Sequence, residues 1–228
     1  MASRSTITCF YDIVSPYSYF GVKLLNRYRQ QPQWQNVAVE FRPVFLGGIM
    51  NGAKNQPPAT IPAKGKYMIK DLHTISKITG IPFQFSSNFP LLTIPTMRLL
   101  IAIQKHESAK YEQCIEKLYD EYWVQDNDVT DAAILVKALS PILGSANAVE
   151  KYLQMTSDKG IKQTLMDNTQ QAVDIGAFGA PTFIVKKAGT EAGEEVMFFG
   201  SDRFEMMASF LDLPYPGITF HKTSSPKL

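Results

Sequence analysis

Ser15 and Pro16 stand where an apolar run, Phe10 to Val14, gives way to Tyr17-Ser18-Tyr19. A serine before a helix can accept from free backbone N–H groups, and a proline just inside it gives up no needed hydrogen bond. The pair predicts a helix start that aims a hydroxyl and several donors at one spot. Such starts hold anions, a thiolate among them, because the unsatisfied N–H groups and the helix dipole act together.

A second chemical feature is Gly179-Ala180-Pro181-Thr182-Phe183. By itself Pro181 reads as a trans-proline opening a strand. Placed opposite a Ser-Pro helix start it reads as cis, which an X-Pro bond adopts at small cost. The Ala180 backbone is then free to pair with an extended, peptide-like ligand.

The remaining candidates are weaker. Cys9 and Cys114 lie far apart, form no Cys-x-x-Cys, and read as packed thiols. His73, His106 and His221 lack metal or triad spacing, so no metal site is expected. Asp126 to Asp131 has some calcium-loop character but lacks the loop glycine and closing glutamate; a helix cap by Thr130 is the better reading. Tyr119, Tyr122 and Trp123 suit core packing more than an acceptor pocket.

The elements that must position these residues follow from periodicity. Ile7 to Ile13 and Val37 to Phe45 read as strands flanking a helix over Tyr17 to Tyr28, a right-handed βαβ unit with parallel strands. From Leu46 to Gly65 the pattern stops among Gly47-Gly48, Asn51-Gly52, Pro57-Pro58 and Pro62, which predicts a long connection lining a site. Helical stripes then run over Lys66–Thr79, Pro95–Lys105, Tyr111–Trp123, Asp131–Leu143, Ala146–Met155 and Lys159–Ile175, a small bundle or cap. Strands return at Pro181–Lys187 and Glu195–Phe199, joined by a Gly-containing turn, and a helix closes over Arg203–Leu213. The order β-α-β, helical insert, β-β-α is that of an α/β, thioredoxin-like domain interrupted by helices. It divides the chain into 1–65 plus 176–220, an all-helical 66–175, and a tail, 221–228.

Composition agrees with a globular enzyme-sized chain: 228 residues, 45% hydrophobic, 19% charged. The net charge of +2 is scattered, with no basic run to track a phosphate backbone, so nucleic acid is not an expected partner. No stretch has the apolar length of a membrane helix, and no membrane partner is expected. Two cysteines and a strand beginning close to Met1 fit an intracellular, reducing compartment. Pro226-Lys227-Leu228 shares two residues with the Ser-Lys-Leu peroxisomal tag. It reads as that address or as a random tail, with mitochondrion and cytoplasm as the alternatives.

Five motifs in order carry a resemblance: Ser15-Pro16-Tyr17-Ser18, Asn55-Gln56-Pro57-Pro58, Ala63-Lys64-Gly65, Gly176 to Thr182, and Phe199-Gly200-Ser201-Asp202-Arg203. Together they resemble the kappa class of glutathione transferases, a group similar also to 2-hydroxychromene-2-carboxylate isomerases and, more distantly, to bacterial disulfide oxidoreductases. The resemblance implies that Ser15 donates to the glutathione sulfur, with Pro16 and Tyr17 continuing that wall. Asn55 would hold the peptide portion, Ala180 would make main-chain contacts beside Pro181, and Ser201 and Asp202 would take the γ-glutamyl end. Lys64 and Arg203 either balance a glutathione carboxylate or are solvated surface charges. The implied activity is conjugation of reduced glutathione, as substrate and with no cofactor, to a small electrophilic or apolar second substrate by a homodimer. The alternatives are a glutathione-dependent isomerase and a non-catalytic glutathione-binding or chaperone-like module. A disulfide oxidoreductase is disfavoured because serines occupy the positions that a redox cysteine pair needs.

Overall fold

The central strand β1 (Thr6–Tyr11) alternates its side chains, and the alternation decides the layers. Ile7, Cys9 and Tyr11 enter one buried cluster, whereas Phe10 enters another on the opposite face. In this computed structural model, which describes residues 4–189 and 194–219, β1 pairs in parallel with β2 (Ala38–Pro43). It pairs antiparallel with β3 (Thr182–Lys186), which in turn pairs antiparallel with β4 (Glu195–Phe199). The sheet order is β2-β1-β3-β4. The parallel β1–β2 pair and both late strands match the expectation from sequence.

Helix α1 (Pro16–Arg29) links the parallel strands. It starts where the sequence predicts, with Ser15 as the cap and Pro16 in the first turn. Its apolar face, including Phe20, Leu24 and Leu25, is buried. Gly21 is required there: a Cβ on it would lie 2.9 Å from Pro181 Cγ and 3.3 Å from the Phe183 ring. The helix thus presses directly against the turn that precedes β3.

The connection after β2 is more ordered than its sequence pattern predicts. Leu46–Gly52 forms helix α2, Pro58–Thr60 makes a single 3-10 turn, and helix α3 (Pro62–Thr79) starts four residues earlier than expected. The glycines there are spacers rather than breakers. Cβ atoms on Gly48 and Gly52 would lie 2.8 Å from Thr169 and 2.9 Å from Val173 of the helix that covers α2.

Helices α4 (Ile94–His106), α5 (Ser108–Trp123), α6 (Ala132–Leu143), α7 (Ala146–Met155) and α8 (Lys159–Asp174) follow, and α9 (Phe204–Phe210) closes the chain after β4. The cap of α6 is Asp131, not Thr130. The Asp131 carboxylate takes the Ala133 and Ile134 N–H groups, while the Thr130 hydroxyl donates to Asp128 at 2.6 Å. An anion at that helix start answers both the free donors and the dipole.

Residues 66–175 are interposed in the chain between the two halves of the sheet, yet one buried cluster joins them. It runs from Ile7 and Tyr11 through Leu100, Tyr119 and Trp123. Tyr119, Tyr122 and Trp123 are fully buried, as core residues. Both cysteines are buried and unpaired; burial raises the Cys9 thiol and pushes Cys114 up to about 12. No helix among the described residues is by itself long and apolar enough to cross a membrane. His221, residues 190–193 of the β3–β4 turn, and the tail with Pro226-Lys227-Leu228 lie outside the described residues.

Candidate active site

The turn between β1 and α1 is held from below by its own backbone and by the helical insert. Ser15 N–H donates to the Asp12 carbonyl at 3.0 Å, and Trp123 Nε1 donates to the Ile13 carbonyl at 2.9 Å. The Asp12 side chain, fully buried, gathers three elements. It accepts from Leu46 N–H at 2.9 Å, from the Thr93 hydroxyl at 2.6 Å and from Val14 N–H at 3.2 Å. Burial raises its pKa above the ordinary aspartate value, and those hydrogen bonds oppose the rise.

On this base Ser15 is 4% exposed. Its Oγ accepts from the Ser18 N–H at 3.1 Å, the bond that caps α1, and donates to the Ala180 carbonyl at 2.9 Å. The Ala180–Pro181 peptide bond is cis. Helix start and proline turn therefore meet, as the sequence reading required.

They meet at the wall of a cleft of about 820 Å³. Ser15, Pro16, Tyr17, Asn55, Ala180, Ser201 and Asp202 all line it. Two sequence-predicted residues do not. Pro181 is buried behind the wall against Gly21, and Lys64 stands exposed in the first turn of α3. Arg203 lines the rim, 3.8 Å from the Asp202 carboxylate. Asn55 Nδ2 donates to the Phe178 carbonyl at 2.7 Å, tying the α2–α3 connection to the loop that leads from α8 into Ala180.

Several lining residues carried no signal readable one at a time. Asp12 and Thr93 build the floor, yet they are far apart in sequence and belong to no local motif. Asp71 on α3 accepts from the Tyr17 hydroxyl at 2.9 Å and from the Tyr67 hydroxyl at 3.3 Å. Burial first, and then Asp71, raises the Tyr17 phenol. For the exposed Tyr67 the Asp71 charge is the main cause of a rise, and Asp202 acts on both rings in the same direction. The two carboxylates thus bring negative charge to the cleft around Tyr17 and Tyr67, with the Arg203 guanidinium beside Asp202 as the opposing charge. Spacing offered a weak hint, since Tyr67 and Asp71 are four apart on a helix and share a face. Met50, Met68, Ile75, Phe89 and Leu91 add apolar side chains to the same lining. No group of histidine, cysteine or acidic side chains among the described residues is arranged to hold a metal.

Comparison with known proteins places this geometry. Residues 6–212 match the family model of the DSBA-like thioredoxin domain. The chain is 32% identical over 213 residues to glutathione S-transferase kappa 1 of Rattus norvegicus, covering 91% of each chain. It is 31% identical over 217 residues to the protein of that name in Homo sapiens, covering 93% of each. Among solved structures it superimposes on a 2-hydroxychromene-2-carboxylate isomerase with a TM-score of 0.74 and 18% identity, covering 91% of this chain and 94% of that one. It also superimposes on the disulfide reductase DsbM of Pseudomonas aeruginosa with GSH, with a TM-score of 0.62 and 16% identity, covering 91% and 97%. The last two likenesses establish the fold. The chain belongs to the DSBA-like thioredoxin-domain family and, within it, to the kappa glutathione S-transferases.

Proposed function

We propose that the polar groups of the cleft bind reduced glutathione and that the enzyme joins the glutathione sulfur to small electrophiles held by its apolar side chains. One observation carries the reading: the capping hydroxyl of α1 sits in the cleft wall, 2.9 Å from the carbonyl that precedes the cis-proline. A thiol titrating near about 8.5 is mostly protonated at neutral pH, and each unit of lowering needs about 1.4 kcal/mol of thiolate stabilisation. A hydrogen bond to a charged acceptor contributes roughly 1.5 to 3 kcal/mol and a helix N-terminus about 0.3 to 1 more. The two together supply roughly one to three units.

In this reading Ser15 keeps its proton and is no nucleophile. The thiol proton leaves to water, the thiolate attacks an electrophilic carbon, a C–S bond forms, and the leaving group departs with the bonding pair. Ser201 and Asp202 take the γ-glutamyl end, where Asp71 adds to the potential that suits an ammonium group. Asn55 and the Ala180 main chain hold the peptide portion, with Tyr17 and Pro16 beside the sulfur. Lys64, exposed outside the lining, is a solvated surface charge in this reading. The second substrate is small and apolar, and the assembly is a homodimer.

Replacing Ser15 by alanine tests the role. Ultraviolet titration of bound glutathione should show the thiol back near its solution value, and conjugation of an aryl halide at neutral pH should fall about 10- to 100-fold. An unchanged titration and rate would overturn the role. Turnover of a hydroxychromene-type compound without glutathione consumption would favour the isomerase reading instead. Tight binding with no rate enhancement would favour the non-catalytic one.

A further inference from the structure

The Ser15 hydroxyl has one proton, and that proton is already committed. A hydroxyl offers one donor hydrogen and two acceptor lone pairs. The hydrogen goes to the Ala180 carbonyl at 2.9 Å, and one lone pair takes the Ser18 N–H at 3.1 Å. Ser15 can therefore donate to a sulfur anion only by turning its hydrogen away from Ala180.

The neighbouring carbonyls show why that turn has a cost. Phe178 is served by Asn55 Nδ2 at 2.7 Å, Gly179 by the Thr182 hydroxyl at 2.8 Å, and Pro181 by the Gly200 N–H at 3.1 Å. Ala180, 7% exposed, is the one whose donor is also the group needed for thiolate chemistry. A buried carbonyl deprived of its donor carries the full desolvation penalty of an unmet acceptor. An extended peptide laid beside the foot of β3 would supply a replacement N–H, as an added strand does.

We infer that the two events are one switch: a ligand N–H takes over the Ala180 carbonyl, and this releases the Ser15 hydroxyl to the ligand's sulfur. The enzyme therefore selects thiols by the peptide that carries them. A thiol on a backbone N–H group is activated, whereas a small thiol without one meets a hydroxyl still turned toward Ala180. The inference rests on the glutathione reading above and adds to it a coupling between peptide recognition and sulfur activation.

The wild-type protein suffices for the main test. The probe is a glutathione isostere in which an ester oxygen replaces the cysteinyl N–H, compared with glutathione, both at saturation and each referred to the same ligand free in solution. Thiolate absorbance should show the glutathione thiol lowered by one unit or more on binding and the ester's thiol lowered by less than about a third of that. At neutral pH the ester should be conjugated about tenfold more slowly. In Ser15→Ala the two ligands should show equal thiol titration. Ser15→Gly, which preserves a helix start to within a few tenths of a kcal/mol, serves the same purpose if the alanine variant does not fold. Equal lowering for both ligands in the wild type overturns the switch and leaves the glutathione reading standing. A glutathione thiol that is not lowered at all overturns the role of Ser15, and the switch with it.

Discussion

Two sets of residues in the cleft wall are built on different plans. Ser15 and Ala180 contribute backbone and a short polar side chain tied together by hydrogen bonds within the protein. Met50, Ile75, Phe89 and Leu91 contribute apolar side chains. The first plan fixes positions to a fraction of an ångström and tolerates little change, because each unmet polar group is costly. The second fixes only volume and polarity, which swaps of similar size preserve. Under the proposed function these become a stringent subsite for glutathione and a permissive one for the second substrate.

The sharpest way to break this contrast is to disturb the stringent subsite from behind. Gly21→Val places branched carbons where Pro181 Cγ would lie 2.9 Å from a Cβ alone. Overpacking of this kind costs about 1–3 kcal/mol. Thermal unfolding should register the loss, and calorimetry should find glutathione affinity reduced by more than the affinity for a hydrophobic dye.

Asp12→Asn comes next. An amide cannot accept with both heavy atoms, so one of the donors from Leu46, Thr93 or Val14 loses its partner, at about 1–3 kcal/mol. The variant also tests a sign. Because the folded-state value of Asp12 is raised above 3.8, its contribution to stability is fully present below that pH. It is lost as pH rises through the raised value. Urea midpoints measured across that range should fall with rising pH in the wild type by a step that Asp12→Asn lacks. A wild type whose midpoints are no steeper than the variant's would refute it.

At the permissive subsite Ile75→Ala should raise KM for a bulky apolar electrophile about fivefold, roughly 1 kcal/mol of lost contact, while the thiol titration stays put. A shifted titration would show that the two subsites are coupled. The smallest effect is expected from Tyr17→Phe, which removes the 2.9 Å bond from α1 to Asp71 on α3. It should lower stability by about 0.5–1.5 kcal/mol, read as a modest drop in the denaturant midpoint.

What the sequence disclosed follows the same division. Ser15-Pro16 announced its own conformation because cap and proline act within one turn, and Pro181 became legible once set against them. Strands and insert helices declared themselves through period, with ends displaced by a few residues. Helix α2 did not, since Gly47-Gly48 and Asn51-Gly52 read as breakers when Gly48 and Gly52 instead let α2 approach Thr169 and Val173. The floor escaped notice for another reason. Asp12, Leu46 and Thr93 converge only after folding, and no local pattern says that a carboxylate at one place will bind a backbone amide and a hydroxyl tens of residues away. Asp71 was hidden in the same manner, by a partner on another helix.

The shared cluster running from Tyr11 through Tyr119 to Trp123 bears on how molecules come and go. Many enzymes with a ligand between two lobes admit it by swinging the lobes about a hinge. Here the would-be pivot is solid packing, and opening it would expose several fully buried rings. The exposed parts of the cleft lining include aromatics, Tyr67 at 66% and Phe199 at 37%, the latter against Phe178 at 4.3 Å between ring centres, and these side chains can turn without disturbing that packing. Entry and exit are then governed by rotation of a few rings while the body of the molecule keeps its shape.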